Sequence, residues 1–226
     1  TAKAEIDNLF SNPAVINLAN LNGSNGFRLE GVLTGDRTGF SVSDAGDING
    51  DGFDDVIVGA PRDTSEFYSG ASFLIFGKAS GFNASQALSN LDGVSGFRLN
   101  GVAGDGAGHS VSSAGDINGD GFDDLIIGAP SLNASYMVFG KASRFGAVLE
   151  LSNLDGSDGF RLHGDGLTGW SVSSAGDVNG DGFDDVIVGA PSGSGSGPYS
   201  GVSYVVFGKP SDFSAILELS DLDGSN

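Results

Sequence analysis

A chain of 226 residues with a formal charge of −19, 39 glycines and no cysteine has room for one or two domains but none for a disulfide, a thiolate metal site or a cysteine nucleophile. Its acidity opposes nucleic acid and anionic lipid, both of which are met by clustered Lys and Arg. No apolar run approaches the roughly 20 residues of a membrane span, so direct membrane insertion is not expected, and so much glycine without a collagen period predicts many turns joining short strands.

Residues 1–25 read as an N-terminal connection, and from residue 26 the chain repeats itself. The first apolar segment, Gly26-Phe27-Arg28-Leu29, returns as Gly96-Phe97-Arg98-Leu99 and Gly159-Phe160-Arg161-Leu162. The second is Phe40-Ser41-Val42-Ser43, then His109-Ser110-Val111-Ser112 and Trp170-Ser171-Val172-Ser173. Next comes an acidic nonapeptide, Asp47-Ile48-Asn49-Gly50-Asp51-Gly52-Phe53-Asp54-Asp55, with copies at Asp116–Asp124 and Asp177–Asp185. A third segment then ends in Gly-Ala-Pro at residues 59–61, 128–130 and 189–191, where proline stops a strand. The fourth closes at Phe76-Gly77, Phe139-Gly140 and Phe207-Gly208. The loops lie 69 and then 61 residues apart, which gives three repeats at 26–95, 96–158 and 159–226. Four short strands in each such unit predict an all-β chain, a β-propeller with three blades of four antiparallel strands.

The nonapeptide is the part with chemistry. Side-chain oxygens stand at its first, third, fifth and ninth positions, with glycine at the sixth where a tight loop needs positive φ. Calcium takes six to eight oxygen ligands. The expected sets are Asp47, Asn49, Asp51, Asp55 with the Phe53 carbonyl, then Asp116, Asn118, Asp120, Asp124 with Phe122, and Asp177, Asn179, Asp181, Asp185 with Phe183. Three ions per chain would reduce the net charge of −19 to −13. An EF-hand begins alike but needs glutamate at position twelve, where this chain has Val58, Ile127 and Val188. Turn formation alone would not call for the additional carboxylates at fixed spacing. Asp54, Asp123 and Asp184, at position eight, are expected only to add negative potential.

Phe-Ser-Val-Ser, the Asp-x-Asn-x-Asp-Gly-x-x-Asp loop and Gly-Ala-Pro, in that order and three times over, resemble the FG-GAP repeats of the integrin α-subunit β-propeller. The resemblance covers nearly the whole chain. It implies a structural calcium in the hairpin between the first two strands of each blade. Integrin heads resemble closed rings of seven blades, whereas this chain has three units, no cysteine and no inserted domain with an Asp-x-Ser-x-Ser metal site. Similar repeats in large bacterial surface and secreted proteins share its calcium-rich acidic character.

In the family pattern the Gly-Phe-Arg-Leu segment is the outermost strand of the preceding blade. Gly26–Leu29 is then an unpaired copy, and the third blade lacks its outer strand. Two readings stay open: two chains joined head to tail in a six-bladed ring, each completing the other's last blade, or a piece of a longer array.

A non-enzymatic, calcium-stabilised module for adhesion or for protein or carbohydrate recognition is the expected function. It would be secreted or on the cell surface, because weak calcium sites suit millimolar extracellular calcium. The alternatives are a passive repeat of a giant surface protein, or an accessory domain of a secreted hydrolase, since similar repeats accompany a phospholipase catalytic domain. A ligand is expected on the face opposite the calcium loops, where Arg37, Arg62, Phe67, Tyr68 and Tyr199 are the bulky or basic residues. His109 reads as packing within an inner strand and His163 as a polar strand end. Arg28, Arg98 and Arg161, with Lys78, Lys141 and Lys209, are expected to bridge to acidic loops.

Overall fold

The computed structural model describes residues 17–62 and 68–224, which contain fifteen short strands and no α-helix. The first five are β1 (Arg28–Glu30), β2 (Ser41–Gly46), β3 (Asp55–Ala60), β4 (Ala71–Ile75) and β5 (Ser85–Ala87). The second group is β6 (Gly96–Asn100), β7 (Ser110–Gly115), β8 (Asp124–Ala129), β9 (Ala134–Val138) and β10 (Val148–Glu150). The third is β11 (Gly159–His163), β12 (Ser171–Gly176), β13 (Asp185–Ala190), β14 (Val202–Val206) and β15 (Ile216–Glu218).

These strands build the blades of a β-propeller. Blade 1 is the sheet β10-β6-β4-β3-β2 and blade 2 the sheet β15-β11-β9-β8-β7. Blade 3 has the three strands β12-β13-β14, and β1 pairs with β5 in a sheet of its own. The inner strands β2, β7 and β12 pack side by side. Within each complete blade the four strands named by the repeat are antiparallel.

The fifth strand corrects the four-strand expectation. β5, β10 and β15 each run parallel to an outer strand, with Leu29 opposite Gln86, Leu99 opposite Leu149 and Leu162 opposite Leu217. Each comes from the connection that leaves the next blade, so it covers an edge that would otherwise invite pairing and ties neighbouring blades together. Three residues without clear alternation carry almost no strand signal.

The core lies between blades rather than inside any one of them. Because both faces of a blade meet a neighbour, the middle strands β3 and β8 read as continuous apolar runs and are buried almost throughout. Ile48, Ile57, Phe97 and Leu99 pack with Leu125, Ile127 and Tyr136 between blades 1 and 2. Ile117, Ile126, Met137 and Phe160 pack with Val186, Val188 and Val206 between blades 2 and 3.

The repeated phenylalanines and cations have a local use. Phe27, Phe97 and Phe160 stack on Phe82, Phe145 and Phe213 at centroid distances of 4.6, 4.4 and 4.7 Å. Lys78, Lys141 and Lys209 lie over those second rings at 4.8, 5.1 and 5.0 Å, a cation–π contact worth about 0.5–1 kcal/mol when exposed. Lys141 also pairs with Asp158 at 2.8 Å. The arginines stay on their own sheets: Arg28 pairs with Glu30, Arg98 bonds Asn100 and lies over Phe73, and Arg161 donates to the Leu132 carbonyl. Lys141 thus reaches an acid of the connection before β11, as expected of a bridge to an acidic loop, and the other contacts named here stay within the blade.

One buried acid sets a pH dependence. Asp105 accepts hydrogen bonds from the Val102 and Ala107 amides and from the Tyr136 hydroxyl at 2.9–3.0 Å. Burial nevertheless pushes its carboxyl up from 3.8 to about 6, so folding favours the protonated form. Stability from this group is full below about 3.8 and is lost as pH rises through about 6, a decline of up to about 3 kcal/mol. Asp105→Asn should flatten that decline in urea melts at constant calcium; an unchanged slope would mean that this carboxyl does not cause it.

Candidate functional site

Each acidic nonapeptide is the loop of the inner hairpin, between β2 and β3, β7 and β8, or β12 and β13. A bulge precedes it, with the register shifting at Gly46, Gly115 and Gly176. Inside, side chains fold onto the loop's own amides. Asp47 accepts from Asp51 and Gly52, Asn49 from Asp51, and Asp51 from Phe53, all at 2.8–3.0 Å. Asp116, Asn118 and Asp120, and Asp177, Asn179 and Asp181, repeat the pattern.

The ninth residue differs from the others in being buried. Asp55, Asp124 and Asp185 are 1, 0 and 0% exposed. Each accepts one bond from the glycine after the fourth strand, Gly77, Gly140 or Gly208, at 2.7–2.9 Å. The second oxygen of Asp124 accepts from Ile117 and that of Asp185 from Val178; at Asp55 the equivalent Ile48 amide faces the carboxyl and opposes the rise in its pKa, but Oδ2 has no well-formed hydrogen bond. Burial, reinforced by the neighbouring Asp51 and Asp47 charges, pushes the Asp55 carboxyl up to about 7. Burial with the Asp120 and Asp116 charges pushes Asp124 up to about 8. The structure thus brings the first, fifth and ninth acids of these two loops within electrostatic reach. Among the described residues, no three acidic or histidine side chains converge closely enough to form a finished metal centre. The all-oxygen donor set and the buried carboxylate without a cation fit a hard ion such as calcium.

Position eight does more than add charge. Asp123 Oδ2 accepts the Asp47 amide of the preceding blade at 2.8 Å, and Asp184 Oδ2 accepts the Asp116 amide at 3.0 Å. The lysine amides join in, Lys141 donating to the Ile48 carbonyl and Lys209 to that of Ile117, both at 2.9 Å. At position seven, the Phe122 and Phe183 rings lie against Gly50 and Gly119 of the preceding loop, where a Cβ would sit 2.4 and 2.3 Å from the ring. Each loop is therefore latched to the loop before it. Sequence reasoning missed the latch because spacing within one loop cannot report a partner about 70 residues away in sequence.

The latch is left open on two surfaces. Gly176 and Gly180 of blade 3 have nothing within 4 Å of a Cβ. Val178 is 60% exposed where Ile48 and Ile117 are 0%. On blade 1, Phe53 and Asp54 are exposed where Phe122, Asp123, Phe183 and Asp184 are half-buried.

The opposite face holds the remaining candidates. Arg37, Arg62 and Tyr68 line one cavity of about 530 Å³ with Phe40, His109 and Ser131. Tyr199 is exposed elsewhere on this face and Phe67 lies outside the described residues. His109 stands just before β7 rather than inside it, its ring between Phe40 at 5.0 Å and Trp170 at 4.5 Å. His163 pairs with Glu218 at 2.8 Å.

Sheets, latched acidic loops and covered outer edges, repeated blade by blade, define a β-propeller repeat protein. The family model described as "FG-GAP repeat" matches residues 40–75, 107–148 and 168–206, and the chain belongs to that family. It is 34% identical over 169 residues to integrin alpha-PS5 of Drosophila melanogaster, covering 71% of this chain and 16% of that protein. With integrin alpha-3 of Cricetulus griseus it shares 30% over 164 residues, 72% of this chain and 15% of the relative. Phosphatidylinositol-glycan-specific phospholipase D of Homo sapiens is 28% identical over 180 residues, 77% of this chain and 21% of that enzyme. The chain thus spans 15–21% of the length of these relatives.

The latch can be tested where its glycines differ only in what they face. Gly180→Ala should cost about 1–2 kcal/mol, the positive-φ penalty alone. Gly50→Ala and Gly119→Ala should cost about 1–3 kcal/mol more, because a ring must move as well. Equal losses at all three positions, in denaturant melts at concentrations where light scattering gives the mass of one chain, would remove the ring contact from the account of stability.

Proposed function

We propose that each nonapeptide binds calcium and that the array is a non-enzymatic recognition module, secreted or displayed at the cell surface. The observation that carries the calcium reading is the buried ninth carboxylate beside the loop's other acids. Asp47, Asn49, Asp51 and Asp55 with the Phe53 carbonyl would hold one ion. Asp116, Asn118, Asp120, Asp124 and Phe122 would hold the second, and Asp177, Asn179, Asp181, Asp185 and Phe183 the third. Bound calcium supplies the positive charge that the buried acid lacks. The residues do the rest: glycine amides orient the ninth acid, and the position-eight aspartate fixes the loop's first residue against the next blade. Metal binding is then coupled to the packing of two blades.

A hundredfold excess of calcium over its dissociation constant contributes about 2.7 kcal/mol per site. Verified removal from three sites should lower the melting temperature by at least about 15 °C. An unchanged melt would overturn the structural role.

Recognition is assigned to the face opposite the calcium loops, with Arg37, Arg62, Tyr68 and Tyr199 as contacts for a protein or carbohydrate partner. Loops held by a rigid scaffold commonly carry recognition, and Tyr68 and Tyr199 are 65 and 81% exposed. Similarity to the integrin alpha chains supports this reading. Similarity to the phospholipase D favours a second one, in which the same module accompanies a catalytic domain.

We also infer that two copies associate head to tail. The β1-β5 pair has the makeup of the outer part of a blade, and β12-β13-β14 that of the inner part. The exposed Phe53-Asp54 pair of one copy matches the open latch at Gly176–Gly180 of the other. Light scattering in millimolar calcium should give about 45 kDa, twice the 22.7 kDa of one chain; a mass of one chain would dismiss the dimer.

A further inference from the structure

The cavity between blades 1 and 2 concentrates positive charge in a chain whose net charge is −19. Most described cations have partners. Arg28, Arg98, Arg161, Lys78, Lys141 and Lys209 are engaged by carboxylates, amides, carbonyls or rings. The Arg37 and Arg62 side chains make no hydrogen bond or ion pair among the described residues, and both line this one cavity of about 530 Å³. The nearest buried acids do not serve them. Asp36 accepts the Val32, Leu33 and Thr38 amides, and Asp105 accepts two amides and the Tyr136 hydroxyl.

Arg37 also sits where the fold would rather have another residue. Its φ is 60°, in the left-handed region; the equivalent turn places Gly106 there at 66° in the second repeat and Leu167 at 67° in the third. A side chain at that position costs about 1 kcal/mol or more against glycine, so the guanidinium is not there to make the turn. Tyr68, at φ 51°, lines the same cavity, and its left-handed backbone recurs at Tyr199, φ 57°, in the matching Tyr-Ser-Gly turn of the third repeat.

Aromatic surface adjoins the cations. Phe40, His109 and Trp170 form a row across the starts of β2, β7 and β12, with Phe40 and Trp170 each 48% exposed. Such rings offer flat faces to the C–H side of a pyranose, and guanidinium forks match carboxylate or sulfate oxygens bidentately. A volume of about 530 Å³ lies within the usual range for small-ligand sites.

We propose that this cavity binds an acidic sugar, a uronate or sulfated pyranose within a glycan, through Arg37 and Arg62 with Phe40 and Tyr68 as the stacking walls. This rests on the assignment of recognition to the face opposite the calcium loops.

The test is calorimetry on the full chain in millimolar calcium with a hyaluronan tetrasaccharide, a heparan sulfate hexasaccharide, neutral chitotetraose and a poly-glutamate peptide. At least one acidic glycan should bind, weaken with salt, and lose at least about tenfold in affinity in Arg37→Gly and in Arg62→Ala. Arg37→Gly restores the residue of the second repeat and relieves the left-handed strain, so its loss of binding at an equal or higher melting temperature cannot come from misfolding. Arg144→Ala, at a cation outside the cavity, should bind as the parent does. Failure of every acidic glycan, or binding of poly-glutamate alone, overturns the acidic-sugar proposal. Equal binding of chitotetraose, lost in Tyr68→Ala but not in the arginine variants, overturns the anionic part and leaves the recognition face standing. Binding that survives Arg37→Gly, Arg62→Ala and Tyr68→Ala combined would overturn the face as well.

Discussion

A carboxylate buried at the base of each inner hairpin constrains the rest of the molecule. Removing an ionised acid from water costs several kcal/mol unless hydrogen bonds and opposite charge compensate. At Asp124 the structure supplies two amides, from Ile117 within the loop and from Gly140 after the fourth strand. The second donor explains why Phe-Gly-Lys follows the fourth strand of each repeat. A Cβ at Gly140 would lie 2.4 Å from the Asp123 carbonyl oxygen and 2.7 Å from the Phe122 Cβ. Glycine lets the backbone come close enough to donate, and its absence would leave a buried charge with one bond fewer. Positive charge is what the amides cannot give, and it is the reason for reading these loops as cation sites.

The same loops set how blades join. Loop residues at positions one to four present amides, carbonyls and a bare glycine to the following blade, which answers with its own positions seven and eight. The acidic loop that buries the carboxylate therefore also positions its neighbour. Apolar burial then follows the latch. Ile57 and Ile126 are fully buried at 0% exposure, while the equivalent Ile187 of blade 3, which meets no following blade among the described residues, is 37% exposed. Burying such a side chain contributes roughly 1.5–3 kcal/mol, so much of the stability of a blade belongs to its neighbours, as in other repeat architectures.

What was legible in the sequence was whatever repeats with a local pattern. The apolar runs Val56-Ile57-Val58 and Leu125-Ile126-Ile127 announce middle strands, and the nonapeptide announces its own loop. Asp123 was misread because its partner, the Asp47 amide, is distant in sequence and is a backbone group that no motif displays. The edge strands β5, β10 and β15 were missed because three exposed or half-buried residues have too little alternation to register. The lysine over phenylalanine contact was visible, since Lys78 and Phe82, Lys141 and Phe145, and Lys209 and Phe213 all stand four apart.

Repetition also separates residues that build the propeller from residues free to do something else. A side chain found in every repeat, such as the stacked Phe97 and Phe160 or the latch acids Asp123 and Asp184, has a partner inside the architecture that accounts for it. The guanidinium of Arg37 recurs in neither other repeat, where Gly106 and Leu167 hold the same left-handed position, and it has no protein partner among the described residues. Folding alone gives no reason to keep an arginine there. The cavity it lines is where the repeat departs from its own pattern, and such departures are the places to look for the specificity of one FG-GAP array over another.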